Sequence, residues 1–135
     1  MASIIREFAV AAEPDVAWAA LEEVGKVNQL IGFLGPVTMD GDVRRVDMAE
    51  NGIIEELIVS VDAPLRRMSY SVRKGPWALI HHHSVMQILP PAQGAGGSRV
   101  AWLVDLKPDE LAEEFAAGME GAVEAIKTSL GKTAP

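Results

Sequence analysis

Apolar residues recur at every second position between Val37 and Leu106, and at every third or fourth position after Pro108. No other feature constrains the fold as strongly. Alternation broken by turn residues builds an antiparallel sheet with one buried face. The later stripe at helical spacing supplies an element to cover that face. Val100, Trp102, Val104 and Leu106 alternate with Arg99, Ala101, Leu103 and Asp105, so the first set faces a core. Met68, Tyr70 and Val72 alternate with Ser69, Ser71 and Arg73 in the same way. Turn signals divide the stretch at Gly41-Asp42, Asn51-Gly52, Ala63-Pro64, Gly75-Pro76 and Pro90-Pro91. Six strands are expected, at 37–40, 43–48, 53–62, 68–73, 77–89 and 99–106.

Ahead of them, residues 3–12 read as a strand. Pro14 and Asp15 suit the first turn of a helix, which carries Ala17, Leu21 and Val24 on one face and stops near Gly25. A second short helix is expected at 27–32. Behind them, Pro108-Asp109 opens a helix about twenty residues long. Its stripe runs through Leu111, Phe115, Gly118 or Met119, Ala122, Ile126 and Leu130. Gly118 and Gly121 sit mid-helix, where each costs up to about 1 kcal/mol relative to alanine. They either leave space between helix and sheet or let the backbones approach.

With 135 residues the chain is one domain, and neither a linker nor a repeat divides it. It has no cysteine, which excludes disulfides and thiolate chemistry and fits a reducing compartment. The net charge of −7 repels phosphate backbones, so nucleic acid is not an expected partner. Residues 75–98 lack Asp, Glu, Lys and Arg, yet their prolines, glycines and histidines argue against a membrane span. The N-terminus shows no signal-peptide pattern. A cytoplasmic protein is expected, neither integral to a membrane nor dependent on a cofactor.

The order strand, two helices, six strands, long helix resembles the START-like helix-grip fold. The motifs are similar to those of the polyketide cyclase/dehydrase and lipid-transport (SRPBCC) family. They are PDVAW at 14–18, GDVR at 41–44, ELIVSVD at 56–62, RRMSY at 66–70, ILP at 88–90 and SRVAWLVDLKP at 98–108. The resemblance covers almost the whole chain. It implies an α+β fold in which a seven-stranded curved antiparallel sheet wraps the C-terminal helix, with a cavity between them. Members bind small hydrophobic or amphipathic molecules, and some catalyse cyclisation or dehydration.

Three consecutive histidines, 81–83, lie in the fifth of the six strands. The resemblance turns Ile88 inward. Counting back by twos turns Met86, Ser84, His82 and Ile80 inward, and His81 and His83 outward. A bulge between Ile80 and Ser84 would reverse this. No third ligand joins His81 and His83, so no metal site is expected. The plant abscisic-acid receptors of this superfamily place an aromatic polar residue, a serine and a pocket carboxylate at positions matching His82, Ser84 and Glu56. Parity alone leaves Glu56 open, because Leu57, Val59 and Val61 also make an apolar face. The receptors' gate is replaced here by a short polar turn at 48–52, and their latch by Gly75-Pro76-Trp77. Their phosphatase-regulating role is therefore not carried over.

The leading expectation is a carrier or sensor of a small apolar or amphipathic molecule. Met68, Tyr70, Met86, Trp102 and Phe115 would wall the cavity, beside Gly118 and Ala122, and Glu56, His82 and Ser84 would orient the polar end. The alternative is a cyclase or dehydratase with Glu56 as base and His82 as acid. The third is an interaction module of the chaperone-activating type. It would use an outward patch of Leu57, Val59, Val61, Val85, Leu89 and Leu103, which would equally serve a homodimer.

Overall fold

The computed structural model describes residues 1–133. Strand β1 (Ala2–Val10) leads into helix α1 (Pro14–Glu22), a 3-10 turn (Val24–Lys26) and the single-turn helix α2 (Val27–Leu30). Strands β2 (Val37–Asp40), β3 (Val43–Asp47), β4 (Ile53–Asp62), β5 (Arg67–Lys74), β6 (His81–Leu89) and β7 (Ser98–Lys107) follow. Helix α3 (Ala112–Leu130) closes the fold. The seven strands form one antiparallel sheet in the order β1-β7-β6-β5-β4-β3-β2. Together these elements form the START-like helix-grip fold.

Alternation decides which face is buried. On β7, Val100, Trp102, Val104 and Leu106 are all 5% exposed or less. Facing them are Met119, Ala122, Val123 and Ile126 of α3, and Ala17, Trp18 and Leu21 of α1. The turn after α3 is tied to the turn after β1, where the Ala11 amide donates to the Gly131 carbonyl at 2.8 Å and the Ala12 amide to Leu130 at 2.9 Å. Ser129 Oγ donates to the Leu30 carbonyl at 2.8 Å, which fixes α2 against the same helix. On the outer face Val59 and Val61 are exposed, while Leu57, Val85, Leu89 and Leu103 are half-buried.

Three boundaries differ from expectation. Helix α1 stops at Glu22, before Gly25, and a separate 3-10 turn takes up residues 24–26. Asn51-Gly52 does not make a two-residue hairpin. A 3-10 turn at Ala49–Asn51 precedes Gly52, whose φ of 85° returns the chain to β4. Strand β6 begins at His81 rather than Trp77, so Ile80, expected inward, precedes the strand and is 78% exposed. The Gly75-Pro76 turn sends residues 77–80 off the ladder, because Trp77 packs on Phe115 of α3 with ring centroids 4.7 Å apart. Among the described residues no helix is long and apolar enough to cross a membrane.

Candidate functional site

The β6–β7 register runs unbroken from His81↔Lys107 to Leu89↔Arg99, so no bulge reverses the histidines. His82 is 6% exposed and faces inward. His81 is exposed and His83 half-buried on the outer side. Among the described residues no three His, Asp or Glu side chains converge as a metal site.

A cavity of about 350 Å³ lies between the sheet and α3. Glu56, Tyr70, His82, Trp102, Phe115, Gly118 and Ala122 all line it. Its wall is mostly apolar, with Ile31, Leu34, Val46, Ile54 and Trp77 adding to the aromatics. A Cβ built on Gly118 would meet no other atom within 4 Å, so this glycine leaves space rather than allowing close helix–sheet contact.

Three of the expected residues do not line this cavity. Met68 and Met86 face inward as parity requires, and they oppose each other across β5 and β6. They lie under α1 and α2, around a void of only about 20 Å³ with Leu21 and Leu30. Parity fixes the face of a strand residue, but the helices above decide whether that part of the face is filled. Ser84 is fully buried, and its hydroxyl accepts the Trp102 indole N–H at 2.8 Å. The serine thus orients the indole that forms the wall.

Two important residues were missed. Arg44 of β3 is 3% exposed and stands opposite Glu56 in the ladder. Its Nε donates to Glu56 Oε1 at 2.8 Å, and its Nη1 donates to the Val24 carbonyl at 3.0 Å. The guanidinium carbon also lies 5.2 Å from the Tyr70 ring centroid. A buried carboxylate needs a partner, so an inward Glu56 was itself a signal to look for a cation one strand away. Trp77 was read as a strand residue, and the proline before it was the signal against that.

His82 is held in one form. Its Nδ1 accepts the Val72 amide at 3.0 Å, which leaves the proton of the neutral ring on Nε2. The ring stands 5.8 Å from Tyr70 and 5.7 Å from Phe115, centroid to centroid. Burial pushes its pKa down to about 4, and His83 and His81 add to the shift. Burial, and then the Glu56 carboxylate, push the Tyr70 phenol up to about 12. At neutral pH the site therefore presents a neutral imidazole, a neutral phenol and a carboxylate paired with its guanidinium, and Glu114 of α3, an exposed residue, adds a second carboxylate to the lining.

The fold is shared with several solved proteins. The protein XoxI of Bacillus cereus superposes with a TM-score of 0.86 at 16% identity, covering 96% of each chain. A START superfamily protein of Mycobacterium smegmatis gives 0.73 at 12% identity, covering 95% of this chain and 96% of its own. Norcoclaurine synthase of Thalictrum flavum, solved with dopamine and hydroxybenzaldehyde, gives 0.69 at 15% identity, covering 99% of this chain and 89% of its own. The chain matches none of the curated protein sequences. The family model for polyketide cyclase/dehydrase and lipid transport matches residues 1–134. With a helix-grip sheet, a cavity under its last helix and that match over nearly its whole length, the chain belongs to the polyketide cyclase/dehydrase and lipid-transport family.

Proposed function

We propose that this protein binds and carries a small amphipathic molecule, holding its apolar body in the cavity and an acceptor group against His82 and Tyr70. The observation that carries this reading is the state of the cavity's polar groups. Neither His82 nor Tyr70 changes protonation near neutral pH. Glu56 is committed to Arg44. Buried in the wall, His82 and Tyr70 thus offer hydrogen bonds without exchanging protons near neutrality, and the one other lining carboxylate among the described residues, Glu114, is exposed. A wall that is mostly apolar with a few fixed polar groups suits orientation of a ligand.

The cyclase or dehydratase reading needs His82 as an acid. A group with a pKa of about 4 is unprotonated at neutral pH, and its Nδ1 is already engaged by the backbone. The aromatic ligands of the norcoclaurine synthase structure are small molecules too. That protein is a synthase, and at 15% identity it shares the fold alone, so it does not decide between the two readings.

Native mass spectrometry of the gently purified protein should reveal a co-purified small molecule. The sharper test is Gly118→Leu, which projects a side chain into open space. The variant should fold and lose its affinity for an apolar fluorescent probe. A folded Gly118→Leu protein that binds the probe as well as the parent refutes the carrier reading.

A further inference from the structure

Strands β5 and β6 pair from Arg67↔Gln87 to Tyr70↔Ser84, and the ladder stops there. Both strands continue, β5 to Lys74 and β6 back to His81. Side chains take over the bonding across the seam. Ser71 Oγ donates to the His82 carbonyl at 2.5 Å, and the Val72 amide donates to the His82 ring. Beside the seam lies a second hollow of about 280 Å³, lined by Arg73, Lys74, His81 and the Trp77 loop among others.

Its charge is unlike that of the rest of the molecule. The chain carries a net −7, yet among the described residues no carboxylate lines this cleft. Arg73 and Lys74 form no ion pair among the described residues, whereas seven of the other cationic groups do. The nearest cross-strand carboxylate to Lys74 is Glu55, and it is bound by Arg45 at 3.1 Å. A bulge delivers the two cations together. Glu55 stands opposite Lys74 and Glu56 opposite Val72, so Arg73 is the extra residue. The cleft also adjoins the inner cavity, since Val72, Trp77 and His82 line both. One layer of side chains separates an apolar hollow from a cationic one. Trp77 belongs to a loop outside the ladder, and Gly75 leaves room for its ring, 3.1 Å from where a Cβ would be.

We propose that the outer cleft binds the anionic head of the ligand, a carboxylate held by Arg73 and Lys74, while the apolar tail crosses the seam beside Trp77 into the inner cavity. This assignment rests on the carrier reading, narrows it to amphiphilic carboxylates, and leaves His82 and Tyr70 to a second acceptor carried along the tail rather than to the charged head. Two paired cations recognise a carboxylate through charge-assisted hydrogen bonds, and an alcohol of the same length would forgo most of that.

The test compares decanoate with decanol by isothermal titration calorimetry, on the parent protein and on the Arg73→Gln/Lys74→Gln variant. Both substitutions are at exposed positions, so the fold should hold. The parent should prefer decanoate by about tenfold or more. The variant should bind both probes with the parent's affinity for decanol. Binding of decanol without a preference for decanoate overturns this inference and leaves the carrier reading standing. A preference that survives in the variant places the head elsewhere and also overturns it. Acetate binding as tightly as decanoate would make the cleft a free-anion site, against the head-and-tail assignment. Failure of the parent to bind either probe overturns the carrier reading, and this inference with it.

Discussion

At one end of the inner sheet face, Met68 and Met86 are 2% and 4% exposed and lie under α1 and α2. At the other end Tyr70, Val72 and His82, on the same two strands and the same face, look into a cavity of about 350 Å³. The two ends share strands, parity and alternation, and they differ in what covers them. Leu21 and Leu30 close over the methionines, while α3 presents Gly118 and Ala122 to the hollow end. The pleat selects a face, and the size of the opposing side chains decides whether that face becomes core or container. The floor of the container is polar, and it is held by one buried ion pair.

That ion pair offers the largest way to test the contrast. Arg44→Ala would leave the Glu56 carboxylate buried without its partner and should cost about 3–5 kcal/mol. Urea denaturation would measure it. A loss under about 1 kcal/mol would mean that water already reaches the floor and that the hollow end is not a desolvated compartment. Met86→Ala probes the packed end, where a large-to-small change should cost about 2–5 kcal/mol. The affinity for an apolar probe should not change, because Met86 does not line the cavity. A folded Met86→Ala protein with weakened probe binding would show that the two ends are not separate.

The third effect is pH-dependent and confined to the hollow end. Folded His82 stays neutral down to about pH 4, while its unfolded counterpart takes a proton near 6.5. Between those values the unfolded state binds more protons. Stability from this group is therefore full above about pH 6.5, falls with falling pH, and levels off below about 4. The whole loss is roughly 3 kcal/mol at most. NMR titration of the imidazole, together with stability curves for the parent and His82→Gln, would check it. A midpoint at the ordinary histidine value would show a hydrated ring and remove the argument against an acid role.

Periodicity made most of this legible. The strand set, the α3 stripe and the inward His82 all follow from counting by twos and by threes and fours. Counting could not show how far along a strand the cavity reaches. Met68, Ser84 and Met86 were placed on the right face, but the helices and the Trp102 indole that cover them are set by tertiary packing. Arg44 was hidden because its alternation, with Val43 and Arg45 beside it, favours neither face. Only the ladder that sets it against Glu56 explains its burial. Trp77 was masked by a run of apolar residues that continues into the histidines. The Gly-Pro turn before it outweighs that run once the ring finds Phe115.

Beyond Tyr70, the His82 ring takes the place where the ladder would have put a carbonyl oxygen for the Val72 amide. A carbonyl accepts at any acidity, whereas an imidazole accepts only while its nitrogen is bare. Once protonated, Nδ1 turns its own hydrogen toward that of Val72, and the rung becomes a repulsion. This sheet thus has one acid-labile rung, in the wall between its two hollows. Acid would break that rung alone, since β6 keeps its ladder to β7 from His81 to Leu89 and its ladder to β5 as far as Tyr70 and Ser84.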